Sequence, residues 1–193
     1  MISAVVLAAG QSKRMGQQKM LLPWGNITVI EKVINTLLGS GIDDIHIVVG
    51  GSRNHVIKIL REYQLDFIIN KNFRNGEMLT SLKLGIKSLQ NDTEAALIVL
   101  GDQPQIESSI IQTIINRFKS SQNPIIVPSY KMKRGHPLLI SRQLWKALLM
   151  LSPPMTLRDF LNENNKIIDY LIVNNNSVIQ DLDTPEDYLR YKP

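Results

Sequence analysis

The chain has 193 residues, 44% of them hydrophobic, which is enough for one domain with a well-developed core and short for two. It contains no cysteine, so disulfides, thiolate metal sites and cysteine nucleophiles are excluded. The formal net charge of +5 suits an anionic partner, but the basic residues are scattered and lack interleaved aromatic residues, so we expect a phosphorylated small molecule rather than nucleic acid.

Neither a membrane span nor a signal peptide is expected. No apolar run reaches the length that a bilayer requires, and the N-terminus enters a predicted strand without the charge pattern of a signal peptide. We therefore expect no membrane contact and a cytoplasmic location.

The first predicted strand and the loop after it are the most informative part of the chain. Residues 5–7 form an apolar run without alternation, which is typical of a strand buried on both faces of a parallel sheet. The small residues at 8–10 would let a ligand lie close to the backbone. The following loop carries three basic side chains: Lys13, Arg14 and Lys19. Free amides backed by such cations form a phosphate cradle, although a basic surface turn would have the same composition.

Spacing excludes two familiar phosphate-binding loops. A P-loop has four residues between its glycines and a lysine directly after the second. Here five residues separate Gly10 from Gly16, and Lys19 comes three positions later. The dinucleotide fingerprint GxGxxG and an evident acidic ribose ligand are also missing, which disfavours a nicotinamide oxidoreductase.

Strands and helices then alternate as far as residue 128. Apolar spacing predicts helices at 29–38, 56–60, 78–89 and 110–118, and buried strands at 45–49, 66–69, 95–100 and 124–128. This order predicts an α/β fold in which a central, mostly parallel sheet carries helices on both faces.

Beyond residue 130 the pattern is less regular. An apolar run occupies 138–140, helices are predicted at 144–151 and 156–161, and strands at 167–173 and 178–179. Thr184, Pro185 and Asp187 predict the start of a last helix, because a threonine cap, a proline at the first position and an acid three residues after the cap favour initiation.

Aspartates at two element ends are candidate metal ligands. Asp102 follows the strand at 95–100, at the edge where open parallel sheets bind ligands, and its carboxylate could anchor Mg²⁺ or merely form a turn. Asp183, with Asp181 nearby, precedes the last helix. An acid there could be a metal ligand, or it could only interact favourably with the positive end of the helix dipole.

The histidines give no sign of covalent catalysis. His46 and His55 have no evident partners in the sequence, and we expect structural roles for both. No nucleophile lies in a recognisable pattern with a base.

Four motifs taken together resemble one family of nucleotidyltransferases. They are LAAGxSxRMGxxK at 7–19, GDQP at 101–104, RGHP at 134–137 and DLDTPED at 181–187. The set is similar to the molybdenum cofactor cytidylyltransferase family and its guanylyl-transferring relatives, and it covers nearly the whole chain. The resemblance implies a three-layer Rossmann-like fold in a single domain over 1–193, with a nucleotide-binding half at about 1–105 and an acceptor-binding half at about 106–193.

The resemblance also implies roles for individual residues. It implies that Arg14, Lys19 and Asp102 are catalytic and hold the phosphates. It implies that Asp102 and Asp183 bind Mg²⁺. It implies that Arg134, Gly135 and His136 bind the acceptor. The nucleotide-binding set is Leu7, Ala8, Ala9, Gly10, Ser12, Arg14, Met15, Gly16, Lys19, Asn70, Ser81 and Asp102. Ser81 lies after Gly76 and Glu77 in a segment similar to one that lines the family's nucleotide pocket; a helix cap is the alternative.

The reaction implied is transfer of CMP from CTP to the phosphate of molybdopterin, with release of pyrophosphate. Ala9 favours cytosine, because the guanylyl-transferring branch usually has glycine there. Transient docking to a molybdoenzyme or its chaperone is also implied. Three alternatives remain open: a GTP-using guanylyltransferase, a sugar- or alcohol-phosphate nucleotidyltransferase, and a non-catalytic protein that binds or delivers a nucleotide or cofactor.

Overall fold

The computed structural model describes residues 1–12, 14–75 and 78–193. The three remaining positions, Lys13, Gly76 and Glu77, all carried predictions and lie outside the described residues. The strands are β1 (Ile2–Ala8), β2 (Pro23–Trp24), β3 (Ile27–Thr28), β4 (Ile45–Val49), β5 (Asp66–Ile69), β6 (Ala95–Leu100), β7 (Ile125–Tyr130), β8 (Lys133–Arg134), β9 (Leu138–Ser141) and β10 (Ile168–Ile172).

Eight of these strands form one mostly parallel sheet, in the order β10-β7-β9-β6-β1-β4-β5, with β8 paired to β7. Strand β1 is central and runs parallel to both of its neighbours, β4 and β6. Strands β8 and β9 run antiparallel to their partners. Strands β2 and β3 form a separate small hairpin.

Helices cover both faces of the sheet. They are α1 (Val29–Leu38), α2 (Arg53–Ile59), α3 (Met78–Ser88), α4 (Ser108–Ser120), α5 (Trp145–Met150), α6 (Leu157–Glu163) and α7 (Pro185–Tyr191). Short 3₁₀ turns occur at Lys19–Leu21, Phe73–Asn75, Arg142–Leu144, Asn165–Ile167 and Asn176–Ile179. None of the helices in the described part of the chain is both long and apolar enough to cross a bilayer.

Strand β1 separates two hydrophobic layers, because successive side chains of a strand point to opposite faces. Ala4 and Val6 pack with residues of α1, α2 and α4 on one face. Val5 and Leu7 pack with residues of α3, α5 and α6 on the other face. The structure therefore confirms the predicted α/β architecture with a sheet buried on both sides.

One predicted strand is wrong. Val178 and Ile179 belong to a 3₁₀ turn, which the side chain of Asn175 caps by accepting a hydrogen bond from the Ser177 amide at 2.9 Å. Val178 is nevertheless fully buried, so its apolar character reflects packing rather than strand pairing. The run at 138–140 is β9, an antiparallel strand inserted between β6 and β7.

The predicted start of the last helix is confirmed. Thr184 caps α7 by accepting a hydrogen bond from the Asp187 amide at 3.2 Å, and the Asp187 carboxylate accepts one from the Thr184 amide at 3.0 Å. Pro185 occupies the first turn, where its missing amide hydrogen costs nothing. This capping box holds the chain directly after Asp183 in one position.

Candidate active site

A cleft of about 550 Å³ lies at the carboxyl edge of the parallel strands, where the loops after β1, β5 and β6 meet. Ten of the predicted site residues line it: Leu7, Ala9, Gly10, Ser12, Arg14, Lys19, Asn70, Ser81, Asp102 and Asp183. Six others are not among the described lining residues: Ala8, Met15, Gly16, Arg134, Gly135 and His136.

Lys19 lies between two carboxylates at the base of the cleft. Its ammonium donates hydrogen bonds to Asp102 Oδ2 and, at 3.3 Å, to Asp183 Oδ1. The two aspartates come from the end of β6 and from the segment before α7, whereas Lys19 follows β1. Three distant parts of the chain thus bring one cation and two anions together.

The lysine at this position is held in its charged form. Its side chain is only 10% exposed, and burial alone would lower its pKa. The charges and hydrogen bonds of Asp102 and Asp183 outweigh burial, so the pKa of Lys19 is raised above its ordinary value. A permanent cation at the base of the cleft suits an anionic ligand.

Arg14 adds a second cation at the mouth of the cleft. Its guanidinium lies 2.7 Å from Asp183 Oδ2, and its side chain is 72% exposed. An exposed ion pair of this kind contributes little to stability, about 0 to 1 kcal/mol. Arg14 can therefore exchange the carboxylate for a phosphate oxygen at low cost.

The loop that carries Arg14 and Lys19 is held in place by hydrogen bonds to Ser12 and by the packing of Met15. Ser12 has a positive φ of 50°, its carbonyl accepts a hydrogen bond from the Met15 amide at 3.1 Å, and its hydroxyl accepts one from the Lys19 amide at 3.3 Å. Met15 packs in a small hydrophobic cluster with Leu22 and Trp24 among others, so it anchors the loop to the protein. Gly16 has a φ of 70°, a conformation that glycine adopts without strain.

Asn70 and Ser81 form one wall of the cleft. The Asn70 side-chain amide donates to the Ser81 hydroxyl at 3.0 Å, and its carbonyl oxygen accepts from the Asn72 amide at 2.9 Å. Both side chains belong to nearly buried residues, which are 2% and 5% exposed. The two predicted pocket residues thus support each other in a fixed arrangement.

Several lining residues had not been predicted from the sequence. Gln11 donates from its side-chain amide to the carbonyl oxygens of Phe73 at 3.2 Å and Arg74 at 2.9 Å, which joins the first loop to the turn after β5. Gly50 makes this approach possible, because a Cβ there would lie 2.6 Å from the Ala9 carbonyl oxygen. In the sequence, Gln11 could be recognised only by its position in the first loop, and Arg74 only by its positive charge.

Asp181, the neighbour of the predicted metal ligand Asp183, is a further acid among the described residues that line the cleft. Its Oδ1 accepts a hydrogen bond from the Gln103 side chain at 2.7 Å. Burial, followed by the neighbouring charge of Asp102, raises the pKa of Asp181. The cleft therefore concentrates acidic groups that a bound cation would stabilise.

Of the predicted acceptor motif, His136 lies close enough to the cleft for the charge of Asp102 to act on it, and Arg134 points to other partners. Arg134 uses its guanidinium to donate to Tyr170 Oη at 2.9 Å, Asn162 Oδ1 at 2.6 Å and Asn165 Oδ1 at 3.0 Å. Gly135 is needed sterically, because a Cβ there would lie 2.5 Å from the Val178 carbonyl oxygen. The contacts of Arg134 join β8 to α6, to the turn that follows α6 and to β10, and its predicted acceptor contact stays a prediction.

His136 presents a neutral imidazole next to this site. Burial lowers its pKa from 6.5 to about 4, and the charge of Asp102 opposes the shift only in part. Its Nε2 atom is buried and has no hydrogen-bond partner among the described residues. Because this nitrogen is buried, the predicted acceptor contact of His136 stays a prediction.

The buried histidine predicts a specific dependence of stability on pH. Because the folded pKa lies below the unfolded one, the unfolded chain binds more protons between about pH 6.5 and pH 4, so stability falls as the pH falls through this window. The loss should reach about 2 to 3 kcal/mol, and His136→Gln should remove it. Urea denaturation at several pH values measures this, with the exposed His55→Gln as the matched control. Parallel curves for wild type and His136→Gln would contradict the assignment.

Asp102 and Asp183 have the donor set that a hard divalent cation requires. Each directs one carboxylate oxygen to the same point, where the Lys19 ammonium now lies. Carboxylate oxygens together with phosphate oxygens of a substrate are the usual ligands of Mg²⁺. The residues present thus fit a divalent metal, provided that Lys19 turns away to a phosphate.

Comparison with known proteins agrees with this architecture. The family described as MobA-like NTP transferase domain matches residues 4–167. The molybdenum cofactor cytidylyltransferase of Escherichia coli K12 is 28% identical over 99% of this chain and 95% of its own length. The nicotine blue oxidoreductase of Paenarthrobacter nicotinovorans is 26% identical over 98% and 95%.

A solved structure extends the comparison to three dimensions. Rv0371c of Mycobacterium tuberculosis H37Rv superposes with a TM-score of 0.86, at 27% identity, over 98% of this chain and 96% of that one. The same protein has been solved in complex with manganese, with a TM-score of 0.83, 25% identity and coverage of 99% and 97%. Since the family match spans far more than half of the sequence, the chain belongs to the MobA-like NTP transferase family and is a nucleotidyltransferase.

Proposed function

We propose that the protein is a Mg²⁺-dependent cytidylyltransferase that transfers CMP from CTP to the phosphate of molybdopterin. The observation that carries the proposal is the convergence of Lys19, Asp102 and Asp183 at the base of a cleft whose rim holds Arg14. The near full-length similarity to a molybdenum cofactor cytidylyltransferase supports the choice of substrates.

The reaction needs no covalent enzyme intermediate. An oxygen of the acceptor phosphate attacks the α-phosphorus of CTP, the bond from this phosphorus to the oxygen bridging to the β-phosphate breaks, and pyrophosphate leaves with that oxygen. The work of the protein is to position the reactants and to stabilise charge. The cleft provides cations for both tasks.

Lys19 and Arg14 change partners in this proposal. Both now bind aspartate oxygens, and both would turn to oxygens of the triphosphate when it enters. Asp102 and Asp183 would then hold the divalent cation, which supplies charge neutralisation at the phosphate oxygens. Asn70 and Ser81 would bind the ribose or base from the wall of the cleft.

The acceptor would approach from the side of the RGHP motif. His136 lies in this segment close enough to feel the charge of Asp102, although its Nε2 atom is buried, and Gly135 keeps the segment close to Val178. The nucleotide-binding half at about 1–105 and the acceptor-binding half at about 106–193 contribute strands to one sheet in this arrangement. The cytoplasmic location and the docking to a molybdoenzyme or its chaperone stay predictions.

A substrate panel tests the proposal. Purified protein with molybdopterin and Mg²⁺ should release pyrophosphate with CTP at least about tenfold faster than with GTP, ATP or UTP, because even one methylene group in a pocket discriminates by roughly 10- to 200-fold and these bases differ by more than that. Ala9→Gly should narrow the difference between CTP and GTP. Release with sugar phosphates but not with molybdopterin would overturn the choice of acceptor.

The same panel separates the remaining alternatives. A binding or delivery protein would bind CTP and Mg²⁺ in calorimetry yet release no pyrophosphate with any acceptor. Because one relative is named as an oxidoreductase, the panel also includes oxidation of reduced nicotinamide cofactors, followed by absorbance. Turnover in that assay without pyrophosphate release would replace the transferase proposal.

A further inference from the structure

A second cluster of metal-ligating side chains lies at the opposite edge of the sheet from the cleft. Asp44 precedes β4, His46 is the second residue of β4, and Asp66 is the first residue of β5. His46 and Asp66 are register partners in the sheet. Because β4 and β5 are parallel, these residues mark the amino ends of strands whose carboxyl ends face the cleft.

The three side chains have spacings that suit a small metal ion. His46 Nε2 lies 3.2 Å from Asp44 Oδ1 and 3.8 Å from Asp66 Oδ2, and one ligand atom of each residue lies within 4.8 Å of the others. A tetrahedral site with bonds of about 2.0–2.1 Å separates its ligands by roughly 3.3–3.4 Å. The separation of His46 from Asp44 matches this geometry, and the exposed Asp66 side chain would have to move closer to complete it.

Ser88 holds the His46 ring so that Nε2 faces the cluster. The Ser88 hydroxyl donates to the Gly85 carbonyl oxygen at 2.8 Å and also lies 2.9 Å from His46 Nδ1. Nε2 lies within hydrogen-bond distance of Asp44 Oδ1, and once Nε2 has lost its proton its lone pair can bind a metal ion.

The cluster is partly buried. The His46 residue is only 2% exposed, and Asp44 Oδ2 is buried without a hydrogen-bond partner among the described residues. Buried polar atoms are normally paired, so this carboxylate oxygen is an unsatisfied acceptor that a bound cation would satisfy. Asp66 is 68% exposed, which leaves a path from solvent.

We infer that Asp44, His46 and Asp66 bind a divalent transition-metal ion of the Zn²⁺ class. Imidazole nitrogen with carboxylate oxygen is a typical ligand set for such ions. Ser88 acts as the outer partner that fixes the tautomer and orientation of the histidine ligand. The ion clamps β4 to β5, and through Ser88 it also holds the end of α3, whose first turns carry Ser81 to the cleft.

Thermal unfolding with and without Zn²⁺ tests this site, using metal-free protein without a histidine tag. Zn²⁺ at about a hundred times its Kd should raise the Tm of wild type by roughly 5 to 10 °C, since a ligand that binds only the folded state stabilises it. Asp66→Asn should lose most of this rise. Asp43→Asn changes an exposed neighbouring aspartate in the same way and should keep it.

A cleft variant separates the two candidate metal sites. Asp102→Asn should keep the Zn²⁺-dependent rise in Tm, because Asp102 lies at the other edge of the sheet. Nitrogen NMR of the His46 ring gives a second measurement on unmodified protein, in which Zn²⁺ should shift Nε2 while Nδ1 remains protonated. An Nε2 that carries a proton in the presence of Zn²⁺, or equal Tm responses of Asp66→Asn and Asp43→Asn, would overturn the inference and leave the cluster as a histidine hydrogen-bonded to aspartate.

Discussion

Replacing Lys19 by methionine should lower the rate of pyrophosphate release at least about a hundredfold, the usual loss when one charged stabiliser is removed from an active site. Methionine fills a similar volume but cannot offset charge on the triphosphate. The loss should appear in kcat, because the lysine acts most strongly on charge that develops during transfer. Steady-state assays with CTP and molybdopterin measure it, and the exposed Lys71→Met is the matched control.

The same replacement has a cost in stability that the sequence did not suggest. Lys19 is the shared partner of Asp102 and Asp183, so its removal leaves two acids facing each other at a partly buried point. We expect a loss of about 1 to 3 kcal/mol, the typical cost of an unpaired buried polar group, and the domain should remain folded. Wild-type turnover in a folded Lys19→Met protein would remove the lysine from the catalytic set.

Asp102→Asn should lower turnover by a similar factor, at least about a hundredfold, for a different reason. The change keeps the shape of the side chain but removes the negative charge that would hold a divalent cation. Increasing the Mg²⁺ concentration should restore part of the activity, which it cannot do for Lys19→Met. Assays across a range of Mg²⁺ concentrations measure the difference, and Asp92→Asn, at an exposed position before β6, is the control.

The double variant tests whether Lys19 and Asp102 act on each other. Because Asp102→Asn removes one of the two acids that Lys19→Met leaves unpaired, the double variant should be more stable than Lys19→Met alone by about 1 kcal/mol. Its activity should stay as low as that of the single variants. If the losses in free energy of unfolding of the two single variants add up to the loss of the double variant, the ion pair contributes nothing to folding.

The fold could be predicted because its central strands are apolar on both faces. The runs that became β1, β4 and β6 could only be buried in a parallel sheet between two helical layers, and the structure confirms this. The antiparallel direction of β9 could not be predicted, since three apolar residues carry no information about strand direction. The turn at Val178 could not be predicted either, because it depends on a side-chain cap at Asn175.

The site could be predicted only in outline. Loops that follow parallel strands meet at one edge, and on this ground Lys19 and Asp102 come together, whereas Asp183 reaches them from the segment between a 3₁₀ turn and α7. The sequence could not show that the lysine binds the acids themselves. Nor could it show the cluster around His46, whose members meet only through the register of β4 with β5.

One divalent cation and one triphosphate should bind together above Asp102 and Asp183. Calorimetric titration of CTP into wild-type protein, once with Mg²⁺ and once with a chelator, measures this coupling. We predict that Mg²⁺ tightens CTP binding at least about tenfold, or 1.4 kcal/mol. Equal affinity for CTP under both conditions would show that no cation is shared between the triphosphate and the two aspartates.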